Sequence, residues 1–228
     1  MDPKAELAKL KIEWSGCTKC HLSTLRHKSH DIAFGQGSST ADVVIISDAP
    51  TRHDMANGGV LSTEDGVVIQ SIFRDANVKL NNLYVTSVVA CHPYVTLPAT
   101  EDTPEEQRPR APEKAEIEAC RKRLESIIYT VDPYLVVALG LIAWKTLVPA
   151  KRRERDRTVQ EIAGELYEAT IPGVHHTLTY PVLGLLSAKQ IHDNPSTAIH
   201  GPAKSSTSAV YNVNAYIELL KAQEKKHV

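Results

Sequence analysis

The chain has 228 residues, 42% of them hydrophobic, and a formal net charge of -1. That content predicts one core and a single domain over 1–228, and a charge this close to zero excludes global attraction to nucleic acid, so such contacts would come from local patches. Apolar runs such as 135–143 are too short to cross a bilayer, and 1–14 is charged and helix-patterned rather than built like a secretory signal. The expectation is a soluble, intracellular chain of the cytoplasm that binds no membrane.

Asp2 before Pro3 is a helix start, and Leu7, Leu10 and Trp14 fall on one face of the helix it opens. Residues 42–47 are a β-branched apolar run, read as a buried strand that Ala49-Pro50 ends. Val68, Ile69, Ile72 and Phe73 have helical spacing, and 83–89 reads as a second strand. The segment 92–112, rich in Pro, Glu, Thr and Arg, has no apolar period and is expected to be an exposed, mobile loop. Ile117, Cys120, Leu124, Ile127 and Ile128 mark a helix, 135–139 a third buried strand, and 142–147 a helix opened at Gly140. Short strands at 165–170 and 176–180 follow, and Val210, Val213, Ile217 and Leu220 form a closing helix. Alternating buried strands and helices predict an α/β fold, a three-layer α/β/α sandwich with a mostly parallel central sheet and no internal repeat.

The four cysteines form one spaced set: Cys17 and Cys20 as Cys-x-x-Cys, Cys91 just past a predicted strand, and Cys120 in a predicted helix. Four thiolates hold either an iron-sulfur cluster or a zinc ion, and either would staple the N-terminal region to two distant elements. A thioredoxin-like pair would follow a strand and open a helix. Here the pair follows a helix and leads into the polar stretch 23–29, so metal binding ranks ahead of redox catalysis and of disulfides.

Cys17-x-x-Cys20 with Leu22, Arg26 and Phe34-Gly35-Gln36-Gly37 resembles the opening of the family 4 uracil-DNA glycosylases. The resemblance continues through Ser47-Asp48-Ala49-Pro50, Val88-Val89-Ala90-Cys91-His92-Pro93, Cys120 and Val136-Val137-Ala138-Leu139-Gly140, so it covers most of the chain. It implies a uracil-DNA glycosylase-like fold and a 4Fe-4S cluster on Cys17, Cys20, Cys91 and Cys120, with zinc as the alternative. It also implies DNA as partner, and a catalytic role for Asp48, which stands where the family has glutamate and would orient water or stabilise a cationic sugar. Asp48 can equally be a loop-forming residue that accepts backbone hydrogen bonds.

The departures from the family pattern fall on the pocket. The stretch Gly58-Gly59-Val60-Leu61-Ser62 offers no ring to stack on a flipped uracil, and Ser87 replaces the asparagine that reads the pyrimidine edge. Tyr180-Pro181-Val182 matches the family's His-Pro-Ser, so Tyr180 would donate to the departing base without being able to carry a positive charge. His175 or His176 would fill the histidine's place only in a shifted register. Val60, Ser87 and His53 are thus the expected substrate contacts, His53 toward a phosphate. Lys151, Arg152 and Arg153, in a mixed-sign run to Arg157, are candidate DNA contacts, with Leu185 as a candidate wedge into the duplex. The loop before the fourth cysteine, Arg108-Pro109-Arg110-Ala111-Pro112, lacks the histidine by which another branch crosslinks to uracil, which disfavours covalent trapping.

Two functions follow from the resemblance. One is a DNA glycosylase of base excision repair whose enlarged pocket takes a modified pyrimidine rather than plain uracil. The other is a catalytically inactive DNA-binding or replication accessory protein that retains the cluster-stapled fold, as in superfamily branches related to a phage DNA polymerase.

Overall fold

A computed structural model describes residues 2–100, 103–148, 158–172 and 177–193, together with 213, 217, 218, 221 and 222. In chain order the elements are α1 (Pro3–Trp14), α2 (Leu22–Leu25), β1 (Gln36–Gly37), β2 (Val43–Ser47), α3 (Arg52–Asn57), α4 (Glu64–Asp75), β3 (Leu83–Ser87), β4 (Tyr94–Leu97) and β5 (Glu106–Pro109). There follow α5 (Lys114–Val131), β6 (Leu135–Leu139), α6 (Leu141–Leu147), α7 (Val159–Ile162), β7 (Leu166–Pro172), β8 (Thr177–Leu185) and α8 (Ala188–Asp193).

The main sheet has the order β1-β3-β2-β6-β8-β7. The four inner strands are parallel, and β1 and β7 pair antiparallel at the edges. Because side chains alternate along a strand, β2 divides its residues between two cores. Val44 and Ile46 join Leu10, Trp14, Leu124 and Ile128 under α1 and α5, whereas Val43 and Ile45 join Ile69, Phe73, Leu183 and Ile191 under α4 and α8. Helices therefore cover both faces, giving the α/β/α layering expected of continuous apolar strands. Val213 and Ile217, predicted in the closing helix, are buried in the second core.

Two expectations need correction. The segment 92–112 carries secondary structure, with β4 and β5 pairing as an antiparallel ribbon from Tyr94↔Pro109 to Leu97↔Glu106. Its exit is anchored by Arg110, whose two terminal nitrogens donate to Glu116 at 2.8 and 2.6 Å. Both strands are mostly exposed, so no apolar period marks them. The second correction concerns β8, predicted to end at Tyr180 but running through Pro181 to Leu185. Pairing with β6 begins only at Val182, so the missing N–H of Pro181 falls outside that ladder.

Candidate functional site

In an open parallel sheet, ligands sit outside the carboxyl ends of the strands where the chain reverses its direction of winding. Here the place is β2, with β3 on one side and β6 on the other. Ser47, the last residue of β2, is level with Ser87 and Leu139. Asp48 follows it directly and lies against the start of α6. Its Oδ1 accepts from the Ala143 N–H at 2.7 Å, and the Ile142 N–H also serves the carboxylate. These are orphan donors of the first helical turn, which favour an anion. Burial outweighs them and pushes the Asp48 carboxyl up to about 6. The approach depends on Gly140, at φ +105°, where an added Cβ would stand 2.6 Å from Asp48 Oδ2.

The face of the sheet that packs under α4 and α8 brings several predicted residues to this end. Val60, Leu139 and Leu185 belong to its core, and Ser47 and Ser87 continue it by alternation. Ser87 is buried and donates its hydroxyl proton to Val89 O at 2.7 Å. Ser47 was not singled out from sequence, yet among the described residues its buried Oγ has no partner, next to Asp48. A serine closing an apolar run before a predicted site aspartate is the signal that was there to use. His53 is exposed in the first turn of α3. Lys151, Arg152 and Arg153 lie outside the described residues, as do His175 and His176.

Tyr180 is not part of this constellation. It lies five residues before the end of β8, roughly 17 Å from Leu185 along the strand. Its hydroxyl donates to Asp132 Oδ1 at 2.8 Å, at the end of α5 that precedes β6. Burial and that carboxylate raise its pKa well above the ordinary tyrosine value, so Tyr180 stays neutral. The catalytic assignment of Tyr180 is therefore corrected: the β8 residue level with the end of β6 is Leu185, whose carbonyl accepts from Gly140 N–H at 3.1 Å. Leu185 in turn is fully buried, so it fills the core instead of wedging into a duplex. Only its neighbour Leu186 is partly exposed.

Cys17, Cys20, Cys91 and Cys120 are free thiols brought together from the end of α1, the turn after β3 and the middle of α5. Cys20 feels the charges of Cys17 and Cys120, and Cys91 those of Cys120 and Cys20. Burial pushes the Cys91 thiol up to about 11 and raises Cys20. Among the described residues, no three His, Cys, Asp or Glu side chains form a group that could hold a single metal ion. A cubane cluster takes one thiolate per iron and spreads its ligands wider than one ion does.

Two arginines lie against these cysteines. Arg26 directs Nη1 at Cys91 Sγ, 3.9 Å away, and donates from Nη2 to Cys17 O at 3.3 Å. Arg123 is fully buried, one turn of α5 beyond Cys120. Its guanidinium donates to Phe34 O (2.9 Å), Thr86 Oγ1 (3.0 Å), Ser87 O and Val88 O (3.2 Å). Among the described residues its Nε has no partner and no carboxylate is paired with it. A buried guanidinium keeps its charge, so it calls for a nearby anion. The groups that favour its charged form are Cys120, Tyr84 and Cys91. Thiolates bound to a metal centre fit that requirement where neutral thiols would not. Arg123 escaped the sequence reading because it interrupts an apolar stripe; a cation three residues after a candidate ligand cysteine on that stripe was the available signal.

A family model described as the uracil DNA glycosylase superfamily matches residues 34–216, a span that includes Cys91 and Cys120 and begins after the Cys17–Cys20 pair. The type-4 uracil-DNA glycosylase of Pyrobaculum aerophilum is 26% identical over 169 residues, covering 74% of this chain and 78% of the relative. That of Thermotoga maritima is 24% identical over 136 residues, 60% and 62% of the two chains. That of Saccharolobus solfataricus is 22% identical over 187 residues, 82% and 74%.

Proposed function

Since the chain belongs to the uracil-DNA glycosylase superfamily, we propose that it binds DNA and hydrolyses the N-glycosidic bond of a flipped, modified pyrimidine rather than of plain uracil. The observation that carries this reading is the half-buried Asp48 carboxylate at the carboxyl edge of β2, held by amide donors of α6. Glycosidic cleavage develops positive charge on the sugar, and a preorganised carboxylate in a site poor in water stabilises it. With a pKa near 6, Asp48 is largely ionised at pH 7.5, as that role requires. Val60 and Ser87 stand where the family has a ring and an amide and are smaller than either, which is why the reading favours a base other than plain uracil.

Cys17, Cys20, Cys91 and Cys120 would hold a 4Fe-4S cluster in this reading, with Arg26 and Arg123 compensating its charge. When bound it would supply crosslinking between α1, β3 and α5 rather than electron transfer, because the hydrolysis needs none.

A second reading is favoured by one observation. On β8, level with the site, stands the apolar Leu185, which offers no side-chain donor to a departing base. That is consistent with a protein that binds DNA without cleaving it.

Base release from oligonucleotides containing uracil, hypoxanthine or 5-substituted uracils, with Asp48→Asn alongside, separates the two. Release from a 5-substituted uracil above that from uracil, abolished in Asp48→Asn, supports the enzyme. Absence of release from every substrate, with DNA binding intact, rules for the binding protein.

A further inference from the structure

Beside the loop that carries Asp48 lies a cavity of about 340 Å³, lined among others by Arg26, His27, His30, Arg52, His92 and Tyr94. Among the described residues no carboxylate lines it. We propose that it seats one further nucleotide of the bound DNA strand, with the phosphate at Arg52, His27 and His30 and the base against the His92–Tyr94 rings. The inference rests on the DNA-binding reading above and adds a subsite to it.

The donors are disposed for an anion. Arg52 is exposed, with no hydrogen bond or ion pair among the described residues. Ser29 N–H donates to His27 Nδ1 at 3.3 Å, so the neutral His27 ring carries its proton on Nε2 as a spare donor. The His30 ring lies 5.2 Å from that of His27. Arg26 is committed to Cys17 and Cys91 and backs the site with charge.

The opposite wall is a ring pair with fixed planes. His92 and Tyr94 stack with centroids 5.8 Å apart and 26° between planes. His92 donates from Nδ1 to Pro50 O at 2.9 Å, and Tyr94 donates to Leu25 O at 3.0 Å. Rings beside cations are how single strands are held, since every base has a π-face and every nucleotide a phosphate. Pro50 is two residues from Asp48, so the subsite adjoins the proposed reaction centre. Gln107 of β5 closes it, which gives the exposed ribbon a task.

The test is anisotropy of a short labelled oligodeoxynucleotide with the full-length protein over a series of salt concentrations, comparing wild type with Arg52→Gln, Arg52→Lys and His27→Gln. Loss of one phosphate contact should flatten the slope of log K against log salt by about 0.7 to 0.9. We expect that for Arg52→Gln, retention of the slope in Arg52→Lys, and weaker binding in His27→Gln, with melting temperatures unchanged. A wild-type slope in Arg52→Gln overturns the subsite while leaving DNA binding intact. No oligonucleotide binding by wild type overturns both readings. Thymidine monophosphate binding as tightly as the oligonucleotide assigns the cavity to a free nucleotide and overturns the strand assignment.

Discussion

Replacing Asp48 by asparagine should stabilise the protein, and only where the aspartate is ionised. Folding raises the Asp48 pKa from 3.8 to about 6 because burial disfavours the charge more than the Ala143 and Ile142 amides restore it. The folded chain thus holds this proton more tightly than the unfolded chain, so stability is fully present below about pH 4 and falls as pH rises through 6. A shift of about two units corresponds to roughly 3 kcal/mol, an upper bound that partial solvent access reduces. Asparagine keeps an acceptor for Ala143 N–H and has no charge to bury. Any misfit of its NH2 group beside the α6 donors adds an offset that does not vary with pH. Urea melts of wild type and Asp48→Asn from pH 4 to 8 should therefore diverge by up to about 3 kcal/mol, which for a chain this long is roughly 6–12 °C in melting temperature. A difference that stays flat across that pH range would refute the reasoning. Together with loss of base release, a gain would mark Asp48 as a group kept for function against stability.

Gly140→Ala places a Cβ 2.6 Å from Asp48 Oδ2 at a backbone φ of +105°; we expect a loss of about 2 kcal/mol or more in urea melts, together with loss of any base release. Arg123→Met strips the donors from Phe34 O, Thr86 Oγ1, Ser87 O and Val88 O, at a cost of about 3–5 kcal/mol. Iron content per chain should fall with it; a variant that keeps both full stability and full iron would show that Arg123 neutralises nothing. Tyr180→Phe removes only the bond to Asp132, so melts should report a loss of about 1 kcal/mol while DNA binding and base release stay at wild-type levels. Protein purified without oxygen should be brown with four irons per chain, and Cys120→Ser should lose them; a colourless chain carrying one zinc would replace the cluster by the alternative ion.

The layers of this protein were written in local patterns. Buried parallel strands need unbroken apolar runs, so 43–47 and 135–139 announced themselves, and helical spacing of Leu7, Leu10 and Trp14 or of Leu124, Ile127 and Ile128 marked what covers them. The cysteines were legible from their spacing, with Cys17 and Cys20 past a helix, Cys91 past a strand and Cys120 within a helix, whereas Asp48 was singled out by the family resemblance. What tertiary structure alone decided was register and partnership. The sequence pattern placed a short strand at 176–180, and only the neighbouring strands show that β8 continues through Pro181 to Leu185, which moves Tyr180 to the far end of the sheet and Leu185 into the core. Likewise Arg123, Ser47 and the His92–Tyr94 pair acquire meaning from what folding places against them: a guanidinium amid thiols and carbonyls, a buried hydroxyl with no partner among the described residues, a ring pair lining the same cavity as Arg52. Periodicity encodes which face of an element avoids water, but the chemistry of a site comes from long-range neighbours that no local pattern records.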